Sequence, residues 1–263
     1  MSLRVAIYFA VLAFAFKPTL GNAQSAVSHP QGVAVLTQAL NASGAANPLS
    51  PVRGFTAQGT ITYFWAGDRV QAPATLRARG HNQFRIDANL PSGARSVAVN
   101  RLASARKDSD GRLTDIPAHN TMSMGFASLP YLSMAVALSN PAFTVSYVGL
   151  VQSGGRQLHQ VRVTRNFPRD RDPDGILAGL SRTDYFVDAQ TLLVSKTEDS
   201  THPIETLTES FSHEVEFEGY TAMSGVAVPN LIREKVAGQT MSEFRLSTIT
   251  FNTNLSDTDF SLR

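Results

Sequence analysis

Asp170, Asp172 and Asp174 stand at alternate positions ahead of Gly175, which is how the oxygen ligands of an EF-hand calcium loop begin. The rest of that template is not met. Counting from Asp170, the twelfth residue, where a bidentate acid is required, is Ser181; the ninth is Ala178 and the fourth is Pro173. Both flanks read as strand rather than helix. The stretch is therefore expected to be a solvated loop between a strand ending near Phe167 and one beginning near Asp184, with a looser cation site on the three aspartates as the alternative. Glu214, Glu216 and Glu218 form a second acidic stripe, but period-two alternation sets them opposite Phe211, Val215 and Phe217, as on a strand with one wet face. His213-Glu214 opens like a zinc-protease signature, yet Phe217 occupies the place of its second histidine. The six histidines, at 29, 81, 119, 159, 202 and 213, show no ligand-like pairing, and there is no cysteine, so a structural zinc site would need histidines and carboxylates alone. Nucleophile-elbow, Walker and dinucleotide-binding glycine patterns are absent. No catalytic residue, metal or cofactor is assigned and the chain is expected to be non-enzymatic; a Ser–His–Asp triad assembled by folding remains an open alternative.

The elements that would position any site are mostly strands. Phe55, Ala57, Gly59, Ile61, Tyr63 and Trp65 alternate with Thr56, Gln58, Thr60 and Thr62, the pattern of a half-buried strand. Ala74-Leu76-Ala78 and Phe84-Ile86-Ala88-Leu90 repeat it, with turn residues at Gly67-Asp68, Gly80-His81-Asn82 and Pro91-Ser92-Gly93, implying an antiparallel meander. Strands resume at Phe143 and continue to Phe251. About ten are expected in all, enough for the sheet to curl. Two helices are expected. Ser28 as N-cap with Pro30 and Gln31 starts the first, which carries Val33, Leu36 and Leu40 at helical spacing; residues 129–138 form the second, apolar nearly all round and so deeply buried.

Arg4, an uncharged run from Val5 to Phe16 and small residues at Gly21 and Ala23 are the parts of a signal peptide, and the run is short of the about 20 residues that span a bilayer. Residues 1–23 are expected to be a leader cleaved near Ala23, residues 24–53 a helix and linker, and residues 54–263 one curved β-domain, periplasmic or secreted and soluble. Loss of Arg4 and Lys17 with the leader reduces 23 basic residues to 21, equal to the 21 acidic ones, and no basic stripe with interleaved aromatics points to nucleic acid. An exported chain of this size without cysteine suits a bacterial envelope.

The order of these pieces resembles the LolA/LolB-like group of envelope proteins: "GFTAQGTITYFW", "ATLRARGHNQFRIDANLPSG", a helical interruption, "YFVDAQTLLVSKTED" and "GVAVPNLIREKVAGQTMSEFRLSTITFNTNLSDTDFSL". The resemblance implies a mainly β, open antiparallel half-barrel whose concave apolar face holds acyl chains of lipid or lipoprotein under a helical lid. It implies a carrier or binding protein, with membrane-protein donors or acceptors as further partners. An envelope-stress sensor or interaction module on the same fold is the alternative, and an envelope hydrolase the second. Ile61, Tyr63, Trp65, Leu76, Phe84 and Ile86 would line the ligand; Leu36, Leu40, Leu129, Leu132 and Val136 would form the lid; Arg79, before Gly80, is the nearest match to the basic lid latch of the carriers, although their Arg-Pro step is missing.

Overall fold

The computed structural model describes residues 27–46, 51–65, 67–101, 103–123 and 125–263; the expected leader lies outside them. Thirteen antiparallel strands make one sheet: β1 (Gly54–Trp65), β2 (Asp68–Arg79), β3 (Gln83–Leu90), β4 (Gly93–Asn100), β5 (Ala103–Lys107), β6 (Leu113–Asp115), β7 (Phe143–Ser153), β8 (Arg156–Arg165), β9 (Thr183–Asp188), β10 (Val194–Thr201), β11 (Phe211–Met223), β12 (Val226–Val236) and β13 (Gln239–Phe251). The helices are α1 (Pro30–Ala42), α2 (Pro130–Ser139) and the short α3 (Ile176–Leu180).

The sheet order is β6-β5-β4-β3-β2-β1-β13-β12-β11-β10-β9-β8-β7. Every successive pair of strands is adjacent except β6 and β7, which are the two open edges. The chain thus builds one half outward from β1, crosses to the far edge and returns strand by strand until β13 pairs with β1. That crossing, residues 116–142, has to pass over the concave side, which is where α2 and the cover of the site come from. Register shifts between Gln58 and Gly59, between Tyr147 and Gly149, between Val194 and Lys196, and between Glu234 and Lys235 add local bend and twist. At the first of these, a side chain on Gly59 would bring its Cβ to 2.2 Å from the Arg245 carbonyl oxygen, so the close approach of β1 to β13 requires glycine.

The expected curved, open and mainly β sheet is present. Three of its strands were not anticipated: β4 and β5 place arginine or serine at inward positions and β6 has only three residues, so their alternation is weak. The inward residues of β1 to β3 and of α1 and α2 join one continuous core, with Phe55, Leu76, Leu36 and Met134 essentially inaccessible. At the start of α1 the expected capping box does not form. His29 is the N-cap, no side chain caps it, and the Ser28 hydroxyl instead accepts from the Val145 N–H (3.0 Å), tying the helix to β7. The 166–183 stretch holds α3, whose first turn donates from the Leu177 and Ala178 N–H groups to the Asp172 carboxylate at 3.0 and 2.9 Å.

Candidate functional site

The concave face is ordered in cross-strand rows. One row runs Gly59, Ala74, Ala88, Arg95, and the next Ala57, Leu76, Ile86, Val97, Arg106. On the other half, Asp199 faces His213, Val215 faces Glu234, and Glu234 faces Ser242. Between the halves lies a hollow of about 400 Å³. Ile61, Tyr63, Trp65, Phe84, Ile86, Val97 and Val99 give it an apolar floor; Asp199, His213, Glu234 and Ser242 make one wall, and Arg95 reaches in from β4.

Its cover is the crossing segment before α2. Asn120, Thr121, Ser123, Gly125, Phe126 and Ala127 face the hollow. The Phe126 ring stacks on Phe84 at 6.0 Å, and the Asn120 side chain exchanges two 2.8 Å hydrogen bonds with the His202 backbone beyond β10. Gly125 lies directly on Asp199: a Cβ there would stand 2.1 Å from Oδ2. The two main helices are elsewhere. α1 lies on β7, β8 and β9, and α2 on α1 and β7. Of the expected lid residues, Leu36, Leu129 and Leu132 are buried and Leu40 and Val136 partly buried in the core, and none borders the hollow, whose cover is the 3-10 turn Ala118–Thr121 and the irregular chain after it.

The polar wall is a charge cluster in which Asp199 is buried, His213 mostly so and Glu234 half-buried. His213 Nδ1 is 2.7 Å from Asp199 Oδ1 and Nε2 is 3.1 Å from Glu234 Oε1, while Ser242 donates to Glu234 Oε2 at 3.0 Å. Burial acts to lower the imidazole pKa, but the charges and hydrogen bonds of Asp199 and Glu234 outweigh it and hold it well above its ordinary 6.5. Burial likewise acts to raise Glu234, and His213 and Ser242 reverse this, leaving it below 4.5. The histidine is thus a cation between two anions. Both ring nitrogens face carboxylates, so the Asp199–His213 pair lacks the nitrogen that would activate a serine, and this part of a dispersed triad does not form a hydrolase site.

The remaining sequence candidates fall as follows. Ile61, Tyr63, Trp65, Phe84 and Ile86 border the hollow, whereas Leu76 is sealed in the core beside them. Arg79 points to the convex side: it donates to Gln83 Oε1 (2.7 Å) and the Leu255 carbonyl (2.5 Å), pairs with Asp257 and lies over the Phe260 ring. It holds the C-terminal segment rather than a lid. Glu214, Glu216 and Glu218 face outward in ion pairs with Lys196, Arg233 and Lys235. Among the described residues no group of three or more histidines and acids is placed to hold a metal ion, and Asp172 caps α3 while Asp170 and Asp174 are exposed. Arg95, Asp199, His213 and Glu234 escaped the sequence reading. Arg95 is in phase with Val97 and Val99, His213 with Val215 and Phe217, and Glu234 with Ile232 and Val236, and that phase violation was the available signal; Asp199, in phase with Ser195 and Thr197, carried none.

No family model matches the sequence, and no curated protein matches it. Solved structures do. A LolA superfamily protein from Nitrosomonas europaea aligns with TM-score 0.53 at 10% identity, over 87% of this chain and 96% of that one. The chain has the LolA-like fold. A domain named as an outer membrane lipoprotein-sorting protein from Vibrio parahaemolyticus aligns with TM-score 0.53 at 9% identity, over 88% and 96% of the two chains. A DUF1329 family protein from Desulfovibrio piger gives 0.52 at 12% identity, over 88% and 96%. Among the described residues no helix is long and apolar enough to cross a membrane.

Proposed function

We propose that this LolA-like chain is a non-enzymatic carrier or binding protein for acyl chains, of lipid or lipoprotein, working in the bacterial envelope after export. The observation that carries the reading is the hollow itself: about 400 Å³ of unfilled space with an apolar floor, in a sheet whose interior side chains elsewhere close into a core. Such volumes, within about 300–1,000 Å³, hold one small ligand. Burial of each methylene would contribute about 0.8 kcal/mol, so a long chain binds without any covalent step or nucleotide. The cover is the natural gate, since it is joined to the β10 side chiefly through Asn120 and to the floor through Phe126. The name of the aligned Vibrio parahaemolyticus domain, lipoprotein-sorting, adds weight to a lipoprotein cargo.

Native mass spectrometry of the protein purified from an envelope extract, followed by lipid extraction, tests the proposal. A stoichiometric acylated ligand is the expected result. Repeatedly empty protein under mild extraction would count against it and favour a partner-binding module.

A further inference from the structure

Among the described residues that line the hollow, Arg95 is the cation without an ion pair, although its charge helps to hold the Glu234 carboxyl below its ordinary value. Arg95 leans over the small side chains of its own row onto two stacked rings of β1: its Cζ lies 4.7 Å from the Tyr63 ring centre and 4.8 Å from that of Trp65, and these rings are 5.1 Å apart. Cation–π contact holds a guanidinium in place without using its donors. Among the described residues Arg95 forms no ion pair, and its buried Nε has no hydrogen-bond partner. The acids around it are engaged. Glu234 spends both oxygens on His213 and Ser242, and Asp108 is paired with Arg106 at 3.0 Å and Arg112 at 3.4 Å. Asp110 accepts the Arg112 N–H at 2.9 Å.

Its position gives this cation a use. A second, more open hollow of about 400 Å³ adjoins the first, and the two share Trp65, Arg95 and Arg106. Arg95 therefore stands where the apolar interior meets the outside. An amphiphile lying with its chain over Ile61, Phe84 and Ile86 would place its head at this junction. A buried donor left unpaired costs free energy, and an oxyanion returns it through a bidentate, charge-assisted pair.

We infer that the ligand is a single-chain amphiphile with an anionic head, and that Arg95 is the oxyanion-binding residue. The inference rests on the acyl-binding reading of the same hollow and adds the chemistry of the head. The head can be the carboxylate of a fatty acid or the phosphate of a lysophospholipid. The inner volume suits one chain rather than several.

Trp65 is the one tryptophan of the chain, so its fluorescence reports binding at this junction. Delipidated protein would be titrated with hexadecanoate, with palmitoyl lysophosphatidate and with hexadecanol, all below their aggregation thresholds. At least one of the anions is expected to bind about tenfold or more tightly than the alcohol, as a charged hydrogen-bonded pair implies; whichever anion binds more tightly identifies the head. Arg95→Gln should erase that preference, with a circular dichroism spectrum and melting temperature close to those of the unmodified protein showing that the variant is folded. Arg95→Lys, keeping the charge but losing the fork, should retain part of it. Equal binding of alcohol and anions by the unmodified protein, or a preference that survives Arg95→Gln, would overturn the inference while leaving an acyl-binding hollow. Failure of all three ligands to bind would remove the acyl-binding reading and this inference with it.

Discussion

His213 Nδ1 lies 2.7 Å from Asp199 Oδ1 across the β10–β11 ladder, on the concave face, with Glu234 on the other side of the ring. A buried carboxylate, a mostly buried imidazole and a half-buried carboxylate thus stand in what the fold would otherwise make an apolar interior. Replacing the histidine alone leaves the buried Asp199 carboxylate and the half-buried Glu234 without their cation, so His213→Ala is expected to cost about 3 kcal/mol, the low end for breaking a buried pair because water reaches Glu234. Replacing all three by leucine should be far milder, since no unpaired charge remains. Urea denaturation of both variants measures the difference; comparable losses would show that the cluster acts through packing alone.

The same cluster sets a pH window. His213 is raised above 6.5, so its contribution is complete below that value and is lost as pH climbs through the folded pKa. Glu234 is lowered from 4.5, so its contribution is present above that value and is lost as pH falls through the folded pKa. Thermal melting should show a plateau between these values, falling off on both sides, and a flatter profile in the triple-leucine variant. An unchanged alkaline limb in that variant would assign the alkaline loss to other groups.

Val97 borders the hollow and is only partly buried. Val97→Trp is expected to fill space without displacing the sheet, so melting should stay close to that of the unmodified protein while copurifying lipid disappears. Lipid retained at the same stoichiometry would place the ligand outside this hollow.

Arg79→Ala should loosen the C-terminal segment, because the guanidinium joins Leu255, Asp257 and Phe260 to β2, while Arg85 and Arg101 keep their own bonds to it. Hydrogen exchange is expected to quicken over residues 252–263, with ligand uptake unaltered. Altered uptake with normal exchange would restore a gating role to this arginine.

Replacing Asp170, Asp172 and Asp174 together by asparagine should leave thermal stability nearly the same with and without calcium. The amide put in place of the Asp172 carboxylate keeps one acceptor for the two α3 N–H groups, so a loss of about 1 kcal/mol is expected, the same with and without calcium. A calcium-dependent gain of stability in the unmodified protein that vanished in the variant would establish a cation site there.

Period-two alternation was enough to read which faces of β1, β2, β3 and β11 turn inward, because each of these strands is half buried and a one-residue slip would expose its whole apolar set. The acidic stripe of β11 was legible for the same reason. β4 to β6 were not: short strands whose inward positions include Arg95, Ser104 and Arg106 carry little hydrophobic signal. The helices were found from their spacing and apolar content, but not where they sit.

The sequence by itself determined a curved antiparallel sheet with two buried helices, since hydrophobic burial at a fixed period is a local property of the chain. What only the tertiary structure decided is the site. The crossing between β6 and β7 runs over the concave face, so a 3-10 turn and irregular chain, rather than α1 or α2, cover the hollow. Curvature carries Arg95 of β4 onto the rings of β1, three strands away in the sheet order, and pairing sets Asp199 and Glu234 on either side of His213. These are contacts between residues far apart in sequence, and no local pattern encodes which distant charge will meet which.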